Sequence, residues 1–248
     1  GMVRGTLTTL ARYDDSAHIG RPPRCCEQHM TSNHHDRTSS DLADDAAERP
    51  YHHGDLRAAL IQAGLAILAE QGAEALTVRA AARRAGVSHN APYRHFADKD
   101  ALLAAIAEEG FNELAEALER ARLFAGAAPR AQLEETGWAY VRFALDHPQH
   151  FRVMFSSSVA PGDRPPGLAA AATRAFGVLV AIVRAGQAAG VLTTGEPWQL
   201  ALTCWAQVHG LAQLLLDKQV TALLAGGNTE PLVRLCLRQQ IDGLARHG

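Results

Sequence analysis

The stretch from Thr77 to Phe96, TVRAAARRAGVSHNAPYRHF, constrains this chain more than any other part of it. It reads as two short helices joined by a tight turn. Thr77 can cap the first helix, because its hydroxyl can accept a backbone N–H from the opening turn. Ala80, Ala81, Ala82 and Ala85 keep that helix slim, so that a second can cross it closely. Gly86 supplies the positive φ at which a helix ends, and Val87 follows as an apolar plug. Ser88 is a second capping residue, opening a segment that presents His89, Asn90, Tyr93, Arg94 and His95. A helix-turn-helix needs this layout: a supporting helix, a glycine turn, and a helix whose polar half can reach base edges in a major groove.

Charge bears on whether such a motif meets nucleic acid. The 248-residue chain has a formal net charge of −2, which excludes a globally basic binder. Positive charge must then be local. Between Arg49 and Asp100 there are seven basic residues against five acidic ones, with four histidines besides. That modest excess surrounds the motif.

A longer run, Leu76 to Leu103, resembles the DNA-binding signature of the tetracycline-repressor family of bacterial regulators. The family pattern is a Thr opening the second helix, an A-G-V-S turn, a Y-x-H-F ending the recognition helix, and Lys then Leu-Leu opening the fourth helix. Here these are Thr77, Ala85-Gly86-Val87-Ser88, Tyr93-Arg94-His95-Phe96, Lys99 and Leu102-Leu103. The resemblance implies an all-α protein, with a three-helix DNA-binding domain followed by a larger helical domain for ligand binding and dimerisation. It places DNA contacts at Thr77, Arg79, His89, Asn90, Tyr93, His95 and Lys99. Asn can read adenine with two hydrogen bonds, and His and Tyr can read an edge or grip a phosphate. His52 and His53, just before the first helix, are further candidates for backbone contact. Two residues depart from the pattern. Pro92 lies inside the recognition segment and is tolerated only near a helix start, so that helix is expected to begin later than Ser88, capped by Asn90. Ala81 is small where a larger apolar residue is usual, which moves packing onto Leu65 and Leu68.

The remaining chain divides by pattern. Residues 1–48 lack helical or strand periodicity and large apolar residues, so disorder is expected there. Cys25, Cys26, His29, His34 and His35 in this tail match no standard metal spacing, and neither metal nor cofactor is expected. Residues 49–97 are expected to form the DNA-binding domain and 98–248 the regulatory domain. Asp55 to Gln71 is an amphipathic helix with Leu56, Leu60, Ala63 and Ile67 on one face, stopped by Gly72. Asp98 caps the next long helix, which runs to about Ala125. Leu133, Gly137, Tyr140, Val141 and Ala144 then share a face, and Leu168, Ala172, Phe176, Leu179 and Val183 mark a helix closed by Gly190. The helix opened by Pro197 is apolar nearly all round, so it must be buried on more than one side: against its own core and against a second subunit. The last helix, Pro231 to Arg246, carries Leu232, Leu235, Leu237, Ile241 and Leu244.

The C-terminal half resembles a subgroup of the family marked by Trp, His and Gly, here Trp205, His209 and Gly210. That likeness implies a homodimer in which the last two helices pair as a four-helix bundle. Trp138, Phe143, Phe151, Met154, Phe155, Phe176, Trp205 and His209 are candidates to line a mostly apolar ligand site. His209 needs a partner if buried, a ligand or a carbonyl, and a satisfied core histidine is the preferred reading. No G-x-S-x-G elbow, H-E-x-x-H pair or phosphate loop appears, which argues against an enzyme. Four cysteines, no apolar run near the ~20 residues of a membrane span and no signal-peptide core lead to the expectation of a reduced, cytosolic protein. Three readings follow: a repressor released from a palindromic operator by a small apolar ligand, a ligand-independent DNA-binding regulator, or a small-molecule carrier with a vestigial motif.

Overall fold

The structure, a computed structural model, describes residues 53–88, 90–160, 162, 164–220 and 228–245, with side chains from Leu56 onward. The tail expected to be disordered, His52 and His89 lie outside these residues. From His53 onward the chain forms one compact unit. Among the described residues there are eight α-helices and no strand, apart from an isolated bridge between Leu192 and Ala245.

Helix α1 spans His53–Gln71 and buries the expected face of Leu56, Leu60, Ala63 and Ile67, together with Ile61 and Leu68. It ends at Gly72, whose φ of 81° only glycine adopts readily. Helix α2, Val78–Arg84, opens on Thr77, whose hydroxyl accepts the N–H of Ala80 at 3.0 Å. Ala81 and Ala82 are fully buried beneath it. Leu65 and Leu68 do join that core. Gly86 has φ 70°, as the turn requires.

The second half of the motif is shorter than a standard recognition helix. It is a 3-10 turn over Ala91–Arg94, with Asn90 in the capping position but making no side-chain cap bond. Pro92 explains this. Without an N–H it can stand only in the first turn, and no helical turn precedes it, so the element begins beside it.

Helix α3, Lys99–Phe124, follows at once, capped by Asp98, which accepts the N–H of Ala101 at 2.8 Å. Its first turns belong to the DNA-binding core. A Cβ on Gly64 of α1 would stand 3.1 Å from Ile106 and 3.7 Å from Leu102, so these helices touch backbone to side chain. Farther along, α3 packs against α4 (Pro129–Asp146), α5 (Pro148–Met154) and α6 (Pro166–Ala188). One continuous rod therefore links motif and body.

Helices α7 (Pro197–Leu216) and α8 (Glu230–Gly243) complete the body against α4. On α8 the buried residues are Val233, Leu237 and Ile241, while Leu235 is exposed. The leucines alone misplace that face, because they fall on several registers. Arg234 ties α8 to α4, bonding Glu135 at 2.8 Å and Glu134 at 3.3 Å, and Glu230 of its own helix at 2.6 Å. By length and composition α6 passes for a membrane span, a feature that counting unbroken apolar runs overlooks. In the fold it packs against α3 and α4, burying Leu168, Ala171, Ala175, Val180, Ile182 and Val183, about a third of its apolar window.

Candidate functional site

The motif presents two kinds of surface. Inward, Phe96 and Pro92 are buried, and Arg57 lies over the Phe96 ring at 5.8 Å. Outward, Thr77, Arg79, Asn90, Tyr93 and Arg94 are exposed. Tyr93 is 43% exposed, unusual for a large apolar ring and suited to lying against a sugar-phosphate edge. His95 is half-buried beside Phe96. Lys99, expected to meet a phosphate, donates to the carbonyl of Ala73 at 2.7 Å. Thr77 likewise uses its hydroxyl on Ala80. Arg84 is held by Glu70 through two bonds of 2.7 and 2.6 Å. This exposed pair raises the Arg84 pKa and lowers that of Glu70, each chiefly through the shared hydrogen bond. Of the expected DNA-contacting residues, Thr77, Arg79, Asn90 and Tyr93 are exposed and form the motif's outward polar surface, its tip, while His95 and Lys99 are half-buried.

The body contains an aromatic cluster centred on His209. Its ring lies 4.5 Å from Phe155, 5.4 Å from Phe151 and 5.6 Å from Trp205, centroid to centroid. Phe176 extends the wall, 6.1 Å from Trp205. Tyr140 on α4 completes it, a residue that the sequence reading assigned only to a helix face. The Trp205 indole N–H donates to the Tyr140 hydroxyl at 3.0 Å, and that hydroxyl stands 2.9 Å from Nδ1 of His209. An indole can only donate, so the phenol oxygen accepts from Trp205, and it shares a second hydrogen bond with His209 whose direction follows the imidazole tautomer. Burial depresses the His209 pKa, which favours a neutral ring, and pushes the Tyr140 phenol up, keeping it protonated. His209 therefore has the protein partner expected of a core histidine, and the partner is a side chain.

The other candidate ligand-site residues lie apart from this relay. Met154 is fully buried against Gly110 of α3. Phe143 stacks on His147 at 4.9 Å. Trp138 is covered by Arg234, whose guanidinium sits 5.9 Å from its ring. Cys204 and Cys236 are free thiols, and burial raises the former to about 11, so it remains an unreactive thiol.

Comparison with known proteins assigns both parts. Residues 60–106 match the model of bacterial regulatory proteins of the tetR family, and residues 133–239 match a tetracyclin repressor-like C-terminal domain. The chain belongs to the tetracycline-repressor family. The two matched segments are those of a family of bacterial DNA-binding regulatory proteins.

The HTH-type transcriptional regulator Mb1846 of Mycobacterium bovis is 28% identical over 145 residues, which cover 54% of this chain and 58% of that protein. The match thus spans little more than half the length of this curated relative. A solved protein of unknown function from Rhodococcus sp. RHA1 is 38% identical, with a TM-score of 0.70 over 80% of this chain and 100% of its own. A TetR family transcription regulator from Marinobacter aquaeolei VT8, 22% identical, shares the fold with a TM-score of 0.61 over 77% of this chain and 96% of its own.

Proposed function

We propose that this protein is a homodimeric, cytoplasmic repressor that holds a palindromic operator and releases it when a small, mainly apolar molecule enters the helical body. The observation that carries this reading is the Trp205–Tyr140–His209 relay inside aromatic walls. Ligand sites commonly combine apolar walls with a few placed polar groups. A ligand bearing one polar group can take over a member of the relay while its apolar part replaces ring contacts. Phe151, Phe155, Phe176, Trp205 and His209 are its nearest contacts, with Phe143, Met154 and Trp138 farther out. Trp205, His209 and Gly210 also fit the Trp-His-Gly subgroup of the family.

Dimerisation is supported by α7. Leu202, Ala206, Gly210 and Leu214 recur every four residues on its exposed side, and α8 adds exposed Leu235. Pairing through these two helices sets the motifs for successive major-groove faces, about 34–36 Å apart or a related spacing. The tip then contacts DNA through Thr77, Arg79, Asn90 and Tyr93, joined by His89, by His95 and by Lys99 once it leaves the Ala73 carbonyl. Ligand binding alters the helix packing, and α3 carries the change to the motif. The shift can be no larger than the ligand's difference in affinity for the two packings.

The test is to select duplexes from a random pool, then to screen small apolar compounds for release of the selected duplex. Release accompanied by a change in Trp205 fluorescence is expected. Retention of the duplex against all compounds would favour a ligand-independent regulator, and failure to select any duplex would favour a carrier.

A further inference from the structure

Away from the aromatic relay, a second group of side chains gathers where α5 docks on α3. Glu113 of α3, His147 at the α4–α5 junction and His150 of α5 each offer a ligand atom, and these atoms all lie within 4.8 Å of one another. In the sequence Glu113 lies more than thirty residues before His147 and His150. Gly110 brings them together. A Cβ there would stand 2.7 Å from the Met154 sulfur and 3.2 Å from His150 Cβ, so only glycine lets α5 settle this close to α3. His150 is then sealed between the helices, 7% exposed.

Two atoms of this group have no partner. His150 Nε2 and Glu113 Oε2 are buried and make no hydrogen bond. Glu109, one turn before Glu113, holds a carboxylate oxygen 3.8 Å from the same His150 nitrogen, too far for a hydrogen bond. That oxygen already accepts from Gln62 at 3.1 Å. Orphaned polar atoms are rare inside proteins and point to an ion or other partner. Here an acceptor-only carboxylate oxygen and an imidazole nitrogen, both lacking partners, occur in one cluster.

We propose that Glu113, His147 and His150 form a site for a divalent transition-metal ion of the zinc, cobalt or nickel kind. Two imidazoles and one carboxylate make a donor set of intermediate softness, which suits these ions better than magnesium or calcium, whose ligands are oxygens. Three protein ligands are also the complement of an open zinc site, which keeps a further position for water. Metal–donor bonds of about 2.0–2.2 Å require the donors to settle around a common centre. Exposed His147 and half-buried Glu113 can make that adjustment by side-chain rotation. Glu109 adds negative charge beside the ion. The site joins α3 to the α4–α5 corner, and its existence does not depend on how DNA or a small molecule is bound.

The test uses the full chain, freed of metal, with Co2+ and Zn2+ as probes. Glu113→Gln and His147→Ala are the variants, the second at an exposed position where folding is preserved. Cys25, Cys26 and the tail histidines can also take metal, so the readout is the difference between wild type and variants. Wild type is expected to bind one more equivalent of Co2+ than either variant, with d–d bands of nitrogen and oxygen ligation and no added thiolate charge transfer. Saturating Zn2+ should raise its unfolding midpoint by about 5–10 °C, and either substitution should abolish that shift. Equal stoichiometry and equal shifts in all three proteins would overturn the proposal, as would an added equivalent whose spectrum is that of thiolate ligation.

Discussion

Tyr140 joins two elements through one oxygen. It accepts from Trp205 and shares a hydrogen bond with His209 across separations of 65 and 69 residues. Tyr140→Phe leaves both partners half-buried and unmatched, and should cost about 1–3 kcal/mol, read by denaturant unfolding. His209 adds a pH dependence. Burial holds its folded pKa below the usual value, so the unfolded chain takes up the proton first as pH falls. Stability is fully present above pH ~6.5 and is lost as pH drops through the depressed folded value. Unfolding midpoints measured between pH 7 and 5 should fall, and His209→Gln should remove that part of the slope. A slope unchanged in the variant would mean that His209 is not among the groups responsible. The aromatic stripes were readable in the sequence because each recurs at helical spacing. The hydroxyl that links them was not, since no local pattern marks a hydrogen bond between helices. For the same reason Glu113, His147 and His150 escaped notice: their meeting depends on the close docking that Gly110 permits.

At the scale of elements, the boundaries follow from capping and turn chemistry. Thr77 and Asp98 both accept the N–H three residues on, as their positions before apolar-periodic runs predict. Asp98→Ala should destabilise by about 1 kcal/mol, with faster hydrogen exchange at Ala101. Unchanged exchange there would contradict its capping role. Gly110→Ala should be costlier than a usual glycine-to-alanine change in a helix. The added methyl meets Met154 and His150, and overpacking of this kind costs about 1–3 kcal/mol, against the gain of up to ~1 kcal/mol expected from helix propensity alone. The recognition segment shows where propensity is overridden. Its residues resemble a helix by family pattern, yet Pro92 leaves a four-residue turn. In α8, leucines on several registers concealed the face that Val233, Leu237 and Ile241 bury.

For the whole molecule, the fold class was legible because helical periodicity, glycine stops and proline starts agree along the chain. How the body engages a partner was less so, since an apolar stripe reads alike whether it meets its own core or another subunit. Leu214 is 45% exposed on α7, so Leu214→Glu should leave the protomer folded but shift sedimentation from dimer to monomer. A dimer that persisted would place the interface elsewhere. The central claim is that the polar tip lies against the backbone and base edges of duplex DNA. Its most direct test is fluorescence anisotropy of a selected duplex across a salt series, with wild type and Arg79→Ala compared. The logarithm of the binding constant should fall steeply and linearly with the logarithm of salt concentration, and the variant should bind more weakly with a slope shallower by about one for each protomer. Binding that ignored salt, or that Arg79→Ala left unchanged in strength and slope, would contradict the account.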